Sequence, residues 1–342
     1  MEHEQRNLAA DASEWYAKQR RITELYTKAE QRRITELYTK AADQLGNERA
    51  SVRLAGLHAL ECLAQITPDQ RQTIVDVICA YLRMPYTSPD DQPLAEDAPA
   101  EAHTRYEDQR QELQVRLTAQ RILGAHLRPE LADAFWTGID LNLTQAHLHT
   151  LDLTYCHVRT AQFDKANFDG DAEFVGAHFY ENVRFNGAHF RGDAVFNKAH
   201  FHGEALFDDE THFDRAARFS EAHFVGTAWF DKAHFCGMWT IFKAAHFGGD
   251  AVFIRAHFGG SALFDRAHFS DGDAWFTKAQ FGDSATFFDA EFSGDAVFDG
   301  ARVRPHFGDS WPAGWATRDA RVAEGEEEGW IYLVRVEHGG EQ

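Results

Sequence analysis

The chain has 342 residues and a formal net charge of −20 at pH 7. This charge disfavours direct binding to nucleic acid and favours solubility or a basic partner. Its four cysteines, Cys62, Cys79, Cys156 and Cys236, form no paired metal-ligand motif, which is typical of reduced intracellular thiols. The polar N-terminus and the absence of a run of 18 apolar residues predict a soluble cytoplasmic protein without a signal peptide or transmembrane segment.

Residues 1–130 are predicted to form an α-helical domain. Apolar residues recur at helical spacing in four stretches: "AEQRRITELYTKAADQLGN", "SVRLAGLHALECLAQITPD", "QRQTIVDVICAYLRMPY" and "RYEDQRQELQVRLTAQRILGAHLRPE". We expect these helices to stack as antiparallel pairs. Residues 86–102 hold three prolines and five acids and are predicted to be an acidic linker.

Within this domain the eleven residues "QRRITELYTKA" occur twice, at 19–29 and at 31–41. An offset of twelve residues turns an α-helix by roughly 120° beyond whole turns, so the apolar residues of the two copies face different sides. Two interpretations follow. Either one copy packs on its own domain and leaves the other for a second chain, or the duplication only lengthens an exposed helix.

A short repeat follows the helical region. From 141 to 170 its period is five residues, "LNLTQ AHLHT LDLTY CHVRT AQFDK ANFDG". From Phe174 to Phe298 the spacing alternates between five and six, as in "AHFRGDAVFNK" at 188–198, and every central position is Phe. Single extra residues occur in three intervals, Phe207 to Phe213, Phe235 to Phe242 and Phe269 to Phe276. Repetition this regular predicts a solenoid.

The residue types within the repeat predict the shape of the coil. The first and third residues of each triplet, Ala and Leu or Phe, lie two positions apart and therefore point to one side of a short strand. Two-sided coils of eleven residues would have too little room for two Phe rings, whereas four-sided coils of 22 residues hold four Phe and four Ala per layer. Thirty triplets from Leu143 to Val303 predict about 7.5 parallel coils and a rod roughly 36 Å long, at ~4.8 Å per coil.

The units "AQFDK ANFDG" resemble the pentapeptide-repeat family, whose unit is roughly Ala, Asp or Asn, Leu or Phe, and two polar residues. The resemblance implies a right-handed quadrilateral parallel β-helix over residues 131–305. The sixth residue of alternate units departs from the family pattern. We interpret Gly192-Asp193 as a bulged corner in which Gly takes a conformation that other residues avoid.

A second resemblance concerns the segment before the repeat. "RQTIVDVICAYLRMPY" and "HLRPELADAFWTGIDLNL" resemble a largely actinobacterial subgroup of the same family. Members of that subgroup often carry transmembrane helices before this segment. This sequence contains no such helices, so membrane attachment is not expected.

Residues 306–342 are predicted to form a C-terminal cap with one β-strand. "GWIYLVRVE" is typical of a strand, and the acidic stretch "AEGEEEG" before it is typical of a loop. The open end of a solenoid exposes unpaired backbone groups, so a strand that covers it is the expected device.

The middle residue of each triplet points to solvent, and equivalent residues of successive 22-residue coils should stack in columns. Two histidine columns are predicted on opposite faces, one with His178, His200, His223, His246 and His268, the other with His189, His212, His234 and His257. The remaining two faces are less polar. One carries Arg184 and an apolar stripe of Leu206, Trp229, Val252, Trp275 and Val297, and its opposite carries Glu173, Val195, Arg218, Ile241, Leu263 and Thr286.

These columns allow several interpretations. The histidines either replace the Asp or Asn usual in the family as an exposed ladder, form a pH-responsive surface, or bind metal between stacked pairs. Metal binding lacks convergent third and fourth ligands. The apolar stripe is either an interaction surface for helices, a second rod or a partner, or an expression of β-propensity on a solvated face.

No catalytic site is predicted. The sequence contains no nucleophile elbow, phosphate-binding glycine loop or HExxH, and a rod filled with Phe offers no pocket. The acids of "HGEALFDDE" at 202–210 should lie on separate sides of one coil. Acids that follow Gly at the corners are spaced too widely for the calcium-binding solenoids that they resemble, so no cofactor or metal is expected. These corner acids are Asp171, Asp193, Glu204, Asp250, Asp273 and Asp295.

The sequence therefore predicts a non-enzymatic scaffold that binds another protein through the faces of the rod. Some members of the family it resembles mimic duplex DNA and bind type II topoisomerases, which makes DNA gyrase or topoisomerase IV the specific prediction. Residues 141–310 carry 24 acids and 14 Lys or Arg, a net charge of −10 that agrees with mimicry, whereas the neutral histidines weaken it. The alternatives are a homodimer or larger assembly formed through the apolar stripe or the N-terminal helices, and a pH sensor.

Overall fold

Four α-helices precede the repeat in the computed structural model, which describes residues 2–89, 98–131, 133–306, 308–317 and 329–336. They are α1 (Glu2–Leu45), α2 (Ala50–Ile66), α3 (Arg71–Leu82) and α4 (Ala100–His126), with a short 3₁₀ helix at Pro68–Gln70. The four helices predicted from the apolar periodicity are confirmed. Residues 90–97 of the predicted acidic linker lie outside the described residues.

The chain divides into two compact units, Met1–Gln70 and Arg71–Gln342. In the first unit both copies of "QRRITELYTKA" belong to the single helix α1, but their surroundings differ as the 120° offset predicts. Ala41 and Leu45, at the end of α1, are buried. They pack beside Gly56 of α2, where a Cβ would come within 2.9 Å of the Ala41 carbonyl oxygen. The first copy is exposed along its whole length.

In the second unit the repeat forms a four-sided parallel β-solenoid of about seven coils over residues 140–303. Each short strand pairs in parallel with the equivalent strand of the next coil, so four sheets form four faces. Face 1 consists of β1 (Asp140–Asn142), β4 (Thr160–Gln162), β8 (Val183–Arg184), β12 (Ala205–Leu206), β16 (Ala228–Trp229), β20 (Ala251–Val252), β24 (Ala274–Trp275) and β28 (Ala296–Val297). Face 2 begins with β2 (His147–His149), β5 (Asn167–Asp169), β9 (His189–Phe190), β13 (His212–Phe213), β17 (His234–Phe235), β21 (His257–Phe258), β25 (Gln280–Phe281) and β29 (Arg302–Val303).

The other two faces complete each coil. Face 3, opposite face 1, consists of β6 (Ala172–Glu173), β10 (Ala194–Val195), β14 (Ala217–Arg218), β18 (Trp239–Ile241), β22 (Ser261–Leu263) and β26 (Ala285–Thr286). Face 4, opposite face 2, consists of β3 (His157–Val158), β7 (His178–Phe179), β11 (His200–Phe201), β15 (His223–Phe224), β19 (His246–Phe247), β23 (His268–Phe269) and β27 (Glu291–Phe292). The predicted quadrilateral fold is confirmed.

The interior of the solenoid is filled with Phe and Ala, as the spacing predicts. Of the Phe residues at the central positions from 174 to 298, all are buried except Phe292, which is partly exposed. Each ring stacks on its equivalent one coil away, and most rings also meet a neighbouring ring edge to face. Phe230, for example, lies parallel to Phe207 at 4.9 Å and to Phe253 at 4.8 Å. Both arrangements are favourable for aromatic rings.

Two kinds of corner alternate around each coil. In the five-residue corner the Ala N–H donates to the carbonyl of the preceding Phe, as in Ala199 N to Phe196 O at 3.0 Å. The residue between them takes a left-handed conformation, such as Lys198 with φ 58°. In the six-residue corner the interpretation of Gly192 is wrong, because its φ is not positive. Glycine is needed there because a Cβ would lie 2.6 Å from Asp171 N and closer still to the Gly170 carbonyl.

Helices α3 and α4 close the N-terminal end of the solenoid within this unit. The Gln120 side chain of α4 donates to the His149 carbonyl at 2.7 Å and accepts from its N–H at 3.0 Å. Leu127 and Ile139 accept backbone bonds from His157 and Arg159. The edge of the first coil is therefore paired and does not stay open to another chain.

The C-terminal end is covered by the predicted strand, β31 (Ile331–Arg335), which pairs antiparallel with β29. A second strand that the sequence does not predict, β30 (Trp315–Thr317), pairs with β31. Trp311 and Trp315 contact the last Phe rings, with Trp315 at 5.5 Å from Phe298. Most of the acidic stretch "AEGEEEG" lies outside the described residues.

Candidate functional site

Face 4 carries a column of stacked imidazoles. The structure places His178, His200, His223, His246 and His268 on directly paired positions of successive strands and adds His157 at the start of the column. Neighbouring ring centroids are 4.4–4.7 Å apart from His157 to His268. The column ends at Glu291, whose carboxylate lies 3.0 Å from His268 Nδ1.

A shorter aromatic row runs beside the start of this column. His202 and Tyr180 follow the Phe of face 4, and their rings stack at 5.2 Å. The Tyr180 hydroxyl lies 2.8 Å from His157 Nδ1, and the His202 ring lies 5.8 Å from that of His178. Sequence reasoning missed these two residues because it assigned outward positions only to the middle of each triplet. The signal that could have found them is their equal position, one residue after Phe, in successive coils.

The histidine column of face 2 is less regular. His189, His212, His234 and His257 occupy paired positions, but only His212 and His234 stack closely, at 4.6 Å. The rings of His189 and His212 are 5.8 Å apart and tilted by 59°. His189 Nε2 lies 2.8 Å from the Asp214 carboxylate.

The stacked histidines resist protonation. The pKa of His178 is lowered to about 4, first by burial and then by the positive charges that His200, His157 and His202 would carry. The pKa values of His157, His200 and His246 are also lowered, first by burial and then by neighbouring histidines. On face 2 the pKa of His234 is lowered in the same way. These five histidines are therefore largely neutral at pH 7.

Face 1 holds the apolar stripe in one row. Successive strands pair Leu206 with Trp229, Trp229 with Val252, Val252 with Trp275, and Trp275 with Val297. The stripe is half-buried and not fully exposed, because side chains one coil apart cover one another. Val252, between the two Trp residues, is only 5% exposed. The outward residues of face 3 are Glu173, Val195, Arg218, Ile241, Leu263 and Thr286.

The corner acids have a structural role that the sequence pattern does not reveal. In three of them, Asp171, Asp250 and Asp273, a side-chain oxygen accepts the backbone N–H of the equivalent corner residue one coil later. Asp250 accepts from Asp273 N at 2.9 Å, and Asp273 accepts from Asp295 N at 2.8 Å. Asp171 and Asn182 make the same bond to Asp193 and Glu204. These bonds satisfy backbone groups that the strands leave unpaired at the corners.

Within the described parts of the chain, no group of three or more His, Cys, Asp or Glu side chains is arranged to hold a metal ion. The acids of "HGEALFDDE" are divided between two corners, since Glu204 precedes and Asp208 follows strand β12.

None of the helices described is long and apolar enough to cross a bilayer.

Part of the chain matches a known protein family. A family model described as pentapeptide repeats (9 copies) matches residues 153–200, 163–210, 196–238 and 242–291. Neither the curated proteins nor the solved structures contain a match. The matched ranges fall within the four-sided solenoid and include both histidine columns.

Proposed function

The repeat region of this chain belongs to the pentapeptide-repeat family, and on that premise we propose that the protein is a non-enzymatic scaffold that binds another protein through the faces of the rod. The supporting observation is that the inward and outward residues of each coil have different roles. The interior is filled with Phe and Ala, so it leaves no cavity for a substrate. The outward columns differ from face to face and repeat at one strand spacing, which suits contact with a large partner.

The specific form of the proposal is a DNA mimic that acts on a type II topoisomerase, DNA gyrase or topoisomerase IV. Residues 141–310 carry a net charge of −10. Exposed carboxylates recur at the corners of successive coils, one strand spacing apart, which is about 4.8 Å. Regular negative charge along a rigid rod resembles the phosphate rows that such an enzyme binds.

A supercoiling assay with purified gyrase tests this form of the proposal. We expect the protein at micromolar concentration to change the rate of supercoiling, with and without a quinolone. The variant Asp214→Asn, Glu221→Gln, Asp289→Asn should act more weakly, because it reduces the charge of the rod from −10 to −7. His212→Asn, which leaves the formal net charge of the rod unchanged, is the matched control. An unchanged rate with the wild-type protein would rule out the proposal.

The stacked imidazoles of face 4 favour a second candidate function, a surface that responds to acid. The groups facing His178 are His157, His200, His202 and Tyr180, and the positive charges that the histidines would carry would repel one another. The reference pKa of these histidines is 6.5. In the folded protein the pKa values are lower, so the unfolded chain binds protons more tightly below pH 6.5. The stabilisation is present above that pH and is lost as pH falls towards 4.

We expect the urea midpoint of unfolding to fall as the pH is lowered from 7 to 4. The fall should be smaller for His178→Asn with His200→Asn, because this pair of substitutions removes two of the clustered imidazoles. His58→Asn, in helix α2 outside the columns, is the control. Equal pH dependence in the wild type and the column variant would contradict this candidate function.

A further inference from the structure

The first copy of the duplicated helix segment has no partner surface within its own unit. Every side chain from 15 to 33 in α1 is exposed. Large apolar side chains are among them, with Trp15 57% exposed, Leu25 61% and Tyr26 75%. The last residue of the second copy, Ala41, is buried beside α2. These eleven residues can therefore pack against another helix, but their first copy remains uncovered.

The exposed segment is amphipathic. At about 100° per residue, Trp15, Ile22, Tyr26 and Ala29 fall within an arc of roughly 60° on the helix surface. Arg21, Lys28 and Arg32 lie together along one edge of this apolar arc, roughly 100–140° from Trp15 by the same rotation. We call residues 15–33 the basic arm.

The charge of the basic arm is opposite to that of the rest of the molecule. It contains six Lys or Arg and two Glu, a net charge of +4, which leaves −24 for the remaining residues. Among the described side chains of the arm, Arg33 pairs with Glu30 at 3.7 Å. Two basic arms would repel each other, so a coiled coil of arm with arm is disfavoured.

A complementary surface runs along face 1 of the solenoid. An acid immediately precedes four of the strands that form the apolar stripe: Glu204, Asp250, Asp273 and Asp295 precede β12, β20, β24 and β28. Asp271 lies at the same corner. Asp273 is half-buried and the other four are exposed. Within the described residues, no cation forms an ion pair with Asp250, Asp271, Asp273 or Asp295. We call these five residues the acidic row.

We propose that the basic arm of one molecule docks on the acidic row and the adjacent apolar stripe of a second copy of this chain. The apolar arc would cover Trp229, Val252 and Trp275, while Arg21, Lys28 and Arg32 would lie along the acidic row. The lengths agree. Trp15 to Ala29 spans about 21 Å of helix, and Glu204 to Asp295 spans four coil steps, about 19 Å.

Reciprocal exchange, in which each arm docks on the rod of the other molecule, gives a closed dimer with two equal contacts.

This inference goes beyond the topoisomerase proposal and is separable from it. The dimer is detected as a change in molecular mass, whereas action on a topoisomerase is detected as a change in the rate of supercoiling. The acids replaced in the supercoiling assay lie on other corners of the solenoid.

The test measures the mass of the full-length protein by light scattering and sedimentation, as a function of concentration and salt. We expect a dimer at about 0.05 M salt that dissociates at about 0.5 M, because screening weakens contacts between exposed charges. Arg21→Glu with Lys28→Glu should raise the dissociation constant about tenfold, since repulsion replaces attraction at two positions. Asp271→Lys with Asp295→Lys should do the same. These two acids are chosen because neither carboxylate accepts a backbone bond from the next coil in the described structure.

Combining both pairs of substitutions in one chain should restore most of the affinity, because the reversed charges again match. Glu221→Lys with Asp289→Lys, an equal charge change at the corner between faces 3 and 4, is the matched control and should leave the mass unchanged. Trp229→Ser with Trp275→Ser should weaken the dimer through the apolar part of the contact.

Three outcomes would overturn the proposal. The first is a wild-type monomer at low salt, including one in which the arm folds back on its own rod. The second is a dimer that the acidic-row variant leaves intact, because the arm would then pair elsewhere. The third combines two results: the protein binds anionic phospholipid vesicles and the arm variant abolishes this binding, but no variant changes the molecular mass. This outcome would assign the basic arm to a membrane surface.

Discussion

Replacing Phe230 with Ala is expected to lower the free energy of unfolding by about 3–5 kcal/mol, the range measured for large-to-small substitutions in packed cores. The Phe230 side chain is fully buried. It stacks on Phe207 and Phe253 and meets Phe219 and Phe242 edge to face, at 5.6 and 5.4 Å. The coils above and below are held apart by their own backbone pairing, so they cannot collapse into the space left by the ring.

Urea unfolding of the full-length protein measures this change. The matched control is Phe288→Ala, because the Phe288 side chain is 61% exposed at a corner of the same solenoid. Its removal should change the free energy of unfolding by no more than about 0.5 kcal/mol. A Phe230→Ala cost below about 1 kcal/mol would mean that the layers relax independently, against the continuous packing that the structure describes.

Gly237→Ala is expected to destabilise the protein by roughly 3 kcal/mol, the upper part of the usual range for overpacking. A Cβ at this position would overlap the carbonyl group of Arg215 and lie 2.8 Å from Arg215 Cα in the preceding coil. The obstacle is backbone and not the end of a flexible side chain, so the coils themselves would have to separate.

The control for this substitution is Gly259→Ala, at the equivalent corner one coil later. There a Cβ would lie 3.3 Å from Phe235 O and 3.5 Å from Cys236 Cα, which requires only small shifts. We expect a cost below about 1 kcal/mol by the same overpacking argument. Thermal or urea unfolding of both variants measures the difference. Equal costs for the two would show that close approach between coils is not the reason for glycine at these corners.

Much of the solenoid could be predicted from residue spacing. Ala and Phe two positions apart must share one side of a strand, and a layer that holds four Phe rings requires four sides. Because the strand spacing in a parallel sheet is fixed, a 22-residue coil places His200 over His178 and Trp229 over Leu206 without further information. The columns that form the candidate site therefore follow from the same period as the fold.

Features that depend on distances between coils could not be predicted. Gly192 looks like a residue chosen for its φ, but it is required by the Gly170 carbonyl of the preceding coil. His202 joins the imidazole cluster because the corner turns its ring towards His178. The apolar stripe is less exposed than the spacing suggests because each Trp covers part of its neighbour, and Val252 is nearly enclosed.

The sequence by itself determined the number of sides of the coil, its core and the chemical identity of each face, because these follow from a strict period and a fixed strand spacing. The tertiary structure alone decided how the ends are closed and which surfaces stay uncovered. Helix α4 reaches the first coil through Gln120, β30 joins β31 at the other end, and the first copy of the duplicated segment remains exposed. These contacts are made once and by segments outside the repeat, so no period in the sequence records them.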